Sequence, residues 1–204
     1  MPPVNVRSVL RDLINQVQQN NALLAAARGR GTPFFQLQQI AELSFLRIFL
    51  AWENFLEKSF TRYLCGARAV SGFRPKSYAK PKNIDHALDL LTIGATREPP
   101  YVDWTNAQTV IRRAQLVFKN GRPFVTPLQA GLRDLDDMRI IRDCVAHRSS
   151  HAQNRFNKVV QHRLGVAHIC RPGGFLLRRT AGSNQTFLDF FSQQILLVAQ
   201  EIVH

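Results

Sequence analysis

Between Phe34 and about Leu64 the sequence sets Phe45, Phe49, Trp52, Leu56 and Phe60 at intervals of three and four residues. A helix returns a side chain to one face every 3.6 residues and a strand every two, so this spacing specifies a long helix with one aromatic face. Gly66 stands where such a helix would end. A stripe of that size must be covered, and the chain offers a partner of matching period: Leu128, Leu132, Leu135, Met138, Ile141 and Val145. Pro127 stands at the start of this second helix, where a missing N–H costs nothing. The helical pattern resumes after Ser149-Ser150 and runs to about His162.

Further helices are expected over Val4–Ala27, Ile84–Ile93, Trp104–Phe118 and Thr186–Val203. Arg28-Gly29-Arg30-Gly31-Thr32-Pro33 breaks the first, and Asn120-Gly121-Arg122-Pro123 is a turn. The Arg171-Pro172-Gly173-Gly174 turn, between Val166–Cys170 and Phe175–Arg179, predicts a small β-hairpin near the C-terminus. The fold class is therefore mostly α: a helical bundle in one domain over residues 1–204, with core helices at about 34–65 and 127–162.

Hydrophobic residues at 45% and charged ones at 20% suit a folded chain rather than a disordered one. Lys and Arg number 27 against 14 Asp and Glu, a net charge of +13. That balance suits a polyanionic partner, with nucleic acid first and an acidic surface second, or else serves solubility alone. Three cysteines, Cys65, Cys144 and Cys170, include no CxxC pair, and Met1-Pro2-Pro3 leads into a polar amphipathic stretch rather than a leader. No apolar run approaches the roughly 18 residues of a spanning helix. The expectation is a soluble, reduced, cytoplasmic protein with no membrane partner.

On the second core helix Asp143 and His147 are four residues apart, so they share the face opposite the apolar stripe. Arg139 and Arg142 flank it. The segment Arg142-Asp143-Cys144-Val145-Ala146-His147 resembles the Arg-x4-6-His signature of the HEPN superfamily of helical ribonucleases, and "RIIRDCVAHR" looks like its RiboL-PSP-type branch. The likeness implies a HEPN-like bundle, a homodimer, and metal-independent cleavage of RNA by Arg142 and His147. It also implies toxin–antitoxin or antiviral-defence settings, with an antitoxin or immunity protein as a further partner. The family's commonest residue after the Arg is Asn, and here it is Asp143.

On that reading His147 exchanges a proton with the ribose 2′-OH or the leaving oxygen. Arg142 holds the scissile phosphate, and Asp143 orients the imidazole. Because this face looks away from the chain's own core, a second copy is its natural cover. The other reading is a HEPN-like module that binds nucleic acid or protein without cutting, which Asp143 in place of Asn favours. Glu53 and Glu57, one turn apart, read either as a salt-bridged edge or as partners holding Arg142.

Other chemistries fit less well. His147 and His151 have zinc-site spacing if the helix continues, but Arg148 stands where HExxH has its Glu, so neither metal nor cofactor is expected. Cys144 lies near the core stripe, which suits a structural thiol rather than a nucleophile. A P-loop is absent, and no helix-turn-helix pair stands out.

Residues Gly66 to Asn83 interleave Arg68, Arg74, Lys76, Lys80 and Lys82 with Phe73 and Tyr78. They read either as a basic loop whose rings stack on bases or as an ordinary exposed connection. The expected nucleic-acid contacts are Arg139, Arg148, Arg74 and Lys76. RNA affinity resting on such contacts should fall linearly in log–log form with salt, because each contact releases counterions. Fluorescence anisotropy across a salt series should show a steep slope that Arg148→Glu makes shallower; a flat dependence would assign the charge to solubility.

Overall fold

The computed structural model describes residues 5–92, 102–147, 149–167 and 169–204. Nine α-helices occur among them: α1 (Val6–Gly29), α2 (Phe34–Leu64), α3 (Ile84–Thr92), α4 (Ala107–Val117), α5 (Val125–Ala130), α6 (Leu132–His147), α7 (Ser150–Leu164), α8 (Pro172–Leu176) and α9 (Phe187–Val203). The β-pairing consists of isolated bridges. No helix among the described residues is long and apolar enough to cross a membrane. The chain divides into two compact units, one of Met1–Leu13, Trp52–Arg133 and Leu196–His204, the other of Ile14–Ala51 and Asp134–Ile195.

In the first unit the C-terminal half of α2 is the spine. Phe60 stacks on Phe124 at 4.7 Å between ring centroids and meets Phe118 at 5.1 Å and Trp104 at 5.5 Å. Burying each such ring contributes about 1.5–3 kcal/mol, which makes this cluster a main source of the unit's stability. The buried Tyr63 hydroxyl donates to the Ile202 carbonyl at 2.9 Å, and burial pushes its pKa above the ordinary tyrosine value. Arg62 Nη1 donates to Ser8 Oγ at 2.8 Å, and the Val70 N–H donates to the Val203 carbonyl at 2.8 Å. Both chain ends are thereby tied to the end of α2.

Helix α4 starts later than the periodicity predicts. The Asn106 side chain caps it, accepting from the Gln108 and Thr109 N–H groups. Trp104 stays outside the helix, with its ring against Phe60. The long stripe from Leu128 to Val145 is likewise split, because the chain breaks at Gly131 between α5 and α6. Ile93 and most of the loop over 94–103 lie outside the described residues.

The second unit packs α2's N-terminal half with α6, α7, α8 and α9. Phe45 meets Phe191 edge-on at 6.3 Å, Phe187 stacks on Phe175 at 4.3 Å, and Phe156 meets Phe175 edge-on at 5.8 Å. Thr186 and Asp189 open α9 as a capping box: the Thr186 N–H donates to Asp189 Oδ2, and the Asp189 N–H donates to Thr186 Oγ1.

The β-hairpin expected over Val166–Arg179 does not form. Among the described residues 166–170 hold no strand, and Pro172 opens the short helix α8. A proline has no N–H for a ladder but suits a first helical turn. The two glycines serve packing rather than a turn. A Cβ at Gly173 would fall 2.2 Å from the Gln38 carbonyl oxygen, and the Gly173 N–H donates to Glu42 Oε1 at 2.9 Å. Phe175 is thereby drawn into the core, and a single antiparallel bridge, Arg179 to Thr186, follows.

Gly173→Ala should therefore destabilise the protein by about 1–3 kcal/mol, since backbone rather than a flexible side chain must move. Gly29→Ala, with open space around it, should stay within about 0.5 kcal/mol of wild type. Urea unfolding midpoints of the two variants check this; equal midpoints would show that α8 is not closely seated.

Candidate functional site

Helix α6 turns Leu135, Met138, Ile141 and Cys144 into the core of the second unit. Val145, expected on that stripe, is only half-buried, and Cys144 takes its place. The remaining faces carry Asp134, Asp136, Asp137, Arg139, Arg142, Asp143 and His147. The chain turns back directly after His147: Ser149 Oγ accepts from the Ala152 N–H at 3.2 Å and starts α7.

Side chains then pair across the two helices in nested order. Arg163 Nε donates to Asp137 Oδ2 at 2.7 Å, and its Nη2 donates to Asp134. Nearer the turn Arg155 Nη1 lies 3.8 Å from Asp143 Oδ2, and Cys144 Sγ lies 3.5 Å from Gln153 Oε1. Late residues of α7 meet early residues of α6, so the two form an antiparallel hairpin with the motif at its closed end.

Arg163 and Asp137 are both largely buried between the two helices. Burial opposes the Arg163 charge, but hydrogen bonds to Asp134 and Asp137 outweigh that, so its pKa stands above the usual arginine value. Its guanidinium also lies over the Phe190 and Phe191 rings, 5.6 Å from each centroid.

At the closed end Arg142 Nη1 donates to Asp143 Oδ1 at 3.1 Å. The Arg142 side chain keeps 30% of its surface exposed and Asp143 keeps 25%. The Asp143 carboxylate is thus shared by Arg142 and Arg155, and among the described residues no hydrogen bond joins it to His147. His147 is exposed as the last residue of α6. Partly exposed ion pairs of this kind are worth about 0–1 kcal/mol.

Arg139 lies one turn earlier on α6, half-buried, with Nη2 3.5 Å from Asp136 Oδ1. Its Nε is buried with no hydrogen-bond partner among the described residues. Arg148 lies outside the described residues. Arg74 and Lys76 are exposed, and their loop belongs to the first compact unit rather than to the unit that holds the motif. Within that loop Arg122 covers one face of Phe73 at 5.6 Å, while Tyr78 stays exposed. Glu53 and Glu57 are half-buried on the part of α2 in that same first unit.

His147 ends one helix and His151 lies on the next, so the four-residue helical spacing between them is broken. Among the described residues no three His, Cys, Asp or Glu gather as a metal site. Comparison of the chain with protein-family models, with curated proteins and with solved structures found no match. The site is read from its own chemistry.

Arg155 and Arg163 are the site residues that sequence reasoning missed. They stand 12 and 26 residues beyond Asp143 and Asp137 (155 − 143 and 163 − 137), separations that no helix rule covers. The available signal was the Ser149-Ser150 pair, which suits the start of a new helix close after α6.

Replacing Arg163 by Ala would leave two carboxylates facing each other without their cation. A loss of about 1.5–3 kcal/mol is expected, the range for hydrogen bonds to charged groups. Arg163→Lys should recover part of it, since a lysine carries the charge but not the fork. Chemical denaturation of the three proteins measures this, and a loss under about 0.5 kcal/mol, the ordinary surface value, would make Arg163 a surface ornament of the hairpin.

Proposed function

We propose that the chain is a metal-independent endoribonuclease of HEPN-like type that works as a homodimer. The observation that carries this reading is the placement of Arg142 and His147. They occupy the last two turns of one helix at the closed end of a braced hairpin, His147 exposed and Arg142 partly exposed beside Asp143.

In the proposed reaction the ribose 2′-oxygen attacks phosphorus while the bond from phosphorus to the 5′-oxygen breaks, giving a cyclic phosphate and a free 5′-hydroxyl. His147 takes the 2′-OH proton or supplies one to the departing oxygen, since histidine ordinarily exchanges protons near neutral pH. A two-fold pairing of this face would bring the Arg142 and His147 of both copies to one cleft. Arg142 meets the charge developing on the phosphate oxygens. Asp143 holds Arg142 and Arg155 in place until RNA arrives, a positioning role. The reading includes a cytoplasmic setting, in keeping with Cys65, Cys144 and Cys170 as thiols outside any disulfide. An antitoxin or immunity protein would restrain such an activity.

One observation favours the binding-only alternative: Asp143 sets a full negative charge against Arg142, which an Asn would not carry. RNA incubated with purified protein in EDTA separates the two. Cleavage should persist in EDTA, fall by about 10²–10⁴-fold in His147→Ala and by about 10²–10³-fold in Arg142→Ala, with helicity unchanged by circular dichroism. A requirement for added divalent metal, or activity in both variants, would end the nuclease reading.

The dimer makes a second prediction. Light scattering at micromolar concentration should give twice the chain mass. Mixing inactive Arg142→Ala and His147→Ala subunits should restore part of the activity, because a shared cleft then holds one intact copy of each residue. A monomer mass, or mixtures as inactive as their components, would show that each site is self-contained.

A further inference from the structure

A cleft of about 780 Å³ opens in the second unit between the start of α2, helix α7 and the segment around α8. That volume lies within the roughly 300–1,000 Å³ range of clefts that bury most of a small ligand. Phe34, 63% exposed, and Ile169, 92% exposed, form an apolar platform on it. Arg171 and Arg178 line it as well, and its described lining holds no carboxylate. Gln38, Gln153 and Asn157 supply amides, each a donor and an acceptor, and Gln153 Nε2 donates to Asn157 Oδ1 at 2.9 Å.

A second cavity of about 380 Å³ shares Gln38, Gln153 and Arg171 with the first, so the two adjoin. Here the Arg171 guanidinium lies 5.6 Å over the exposed Phe35 ring. Cys144 and Val145, within the motif segment that runs from Arg142 to His147, line this cavity, as does Glu42, whose carboxylate accepts from the Gly173 N–H. The groove therefore leads from the exposed platform to the helix that carries the motif.

Flat apolar surface, guanidinium groups and amides in one groove match the faces, phosphates and edges of unstacked bases. Duplex RNA hides those faces and edges. We infer that this groove holds bases of single-stranded RNA as the strand approaches the motif, with Phe34 as a stacking platform and Arg171 and Arg178 as phosphate or base contacts. The inference rests on the reading of the chain as an RNA-cleaving protein and adds where the substrate lies.

The test uses His147→Ala protein, which leaves RNA intact, and a short fluorescent RNA presented single-stranded or as a duplex. Anisotropy should show the single strand bound more tightly. Phe34→Ala and Arg171→Gln should each weaken it by about ten-fold, while Leu116→Ala, an exposed apolar change in the first unit, should leave it unchanged. Cys170 lines the groove and gives a readout free of cleavage. Bound single strand should slow its alkylation several-fold, while Cys65 in the first unit keeps its rate.

Equal affinity for duplex, unchanged binding in both groove variants, or unaltered Cys170 reactivity would overturn the inference. The two readings fail separately. Wild-type protein that leaves RNA uncut while RNA still shields Cys170 ends the nuclease reading and keeps the groove. Cleavage that needs Arg142 and His147 but ignores Phe34 and Arg171 does the reverse.

Discussion

Burial of the aromatic face of α2 is the constraint to which the other elements answer. Phe45 and Phe49 lie in the core of one unit, and Phe60 and Tyr63 lie in the core of the other. A 31-residue helix of this composition cannot stay in water with its rings bare. The short helices, the caps and the tied chain ends all act to cover it. Gly173 shows how closely: its neighbours allow no Cβ because α8 is pressed onto the Gln38 backbone.

The α6–α7 hairpin depends on that cover and adds an electrostatic brace of its own. Arg163, paired with Asp134 and Asp137, fixes the open end, while the Ser149 cap fixes the turn. At the closed end Asp143 lies between Arg142 and Arg155, which gathers the three as a group. Preorganisation of this kind serves chemistry on a phosphate, where the protein contributes mainly position and charge. It serves tight binding of a polyanion equally well, which is why cleavage itself is the decisive measurement.

The basic excess is divided between the two units rather than gathered at the motif. Arg74 and Lys76 stand with the first, while Arg142, Arg155, Arg171 and Arg178 stand with the second. On the proposed reading, charge of this kind would add affinity for RNA without selecting a sequence. Selectivity would come from the groove over Phe34 and Arg171, whose apolar surface and amides address bases as well as phosphates.

The sequence by itself determined the helical class, the bounds of α2 and the sharing of one helix by Arg142, Asp143 and His147. Each of these is local: a period of 3.6 or a six-residue motif is written in neighbouring residues. Tertiary structure alone decided the rest. Arg-Pro-Gly-Gly reads as a hairpin turn until Gln38 and Glu42, more than 130 residues away, make it a helix start that only glycine can fill. Arg155 joins Asp143, and Phe34 shares a groove with Arg171, because packing brings together residues with no periodic relation in the chain. Such contacts arise from the burial of distant surfaces, and their energy is absent from any local window of sequence.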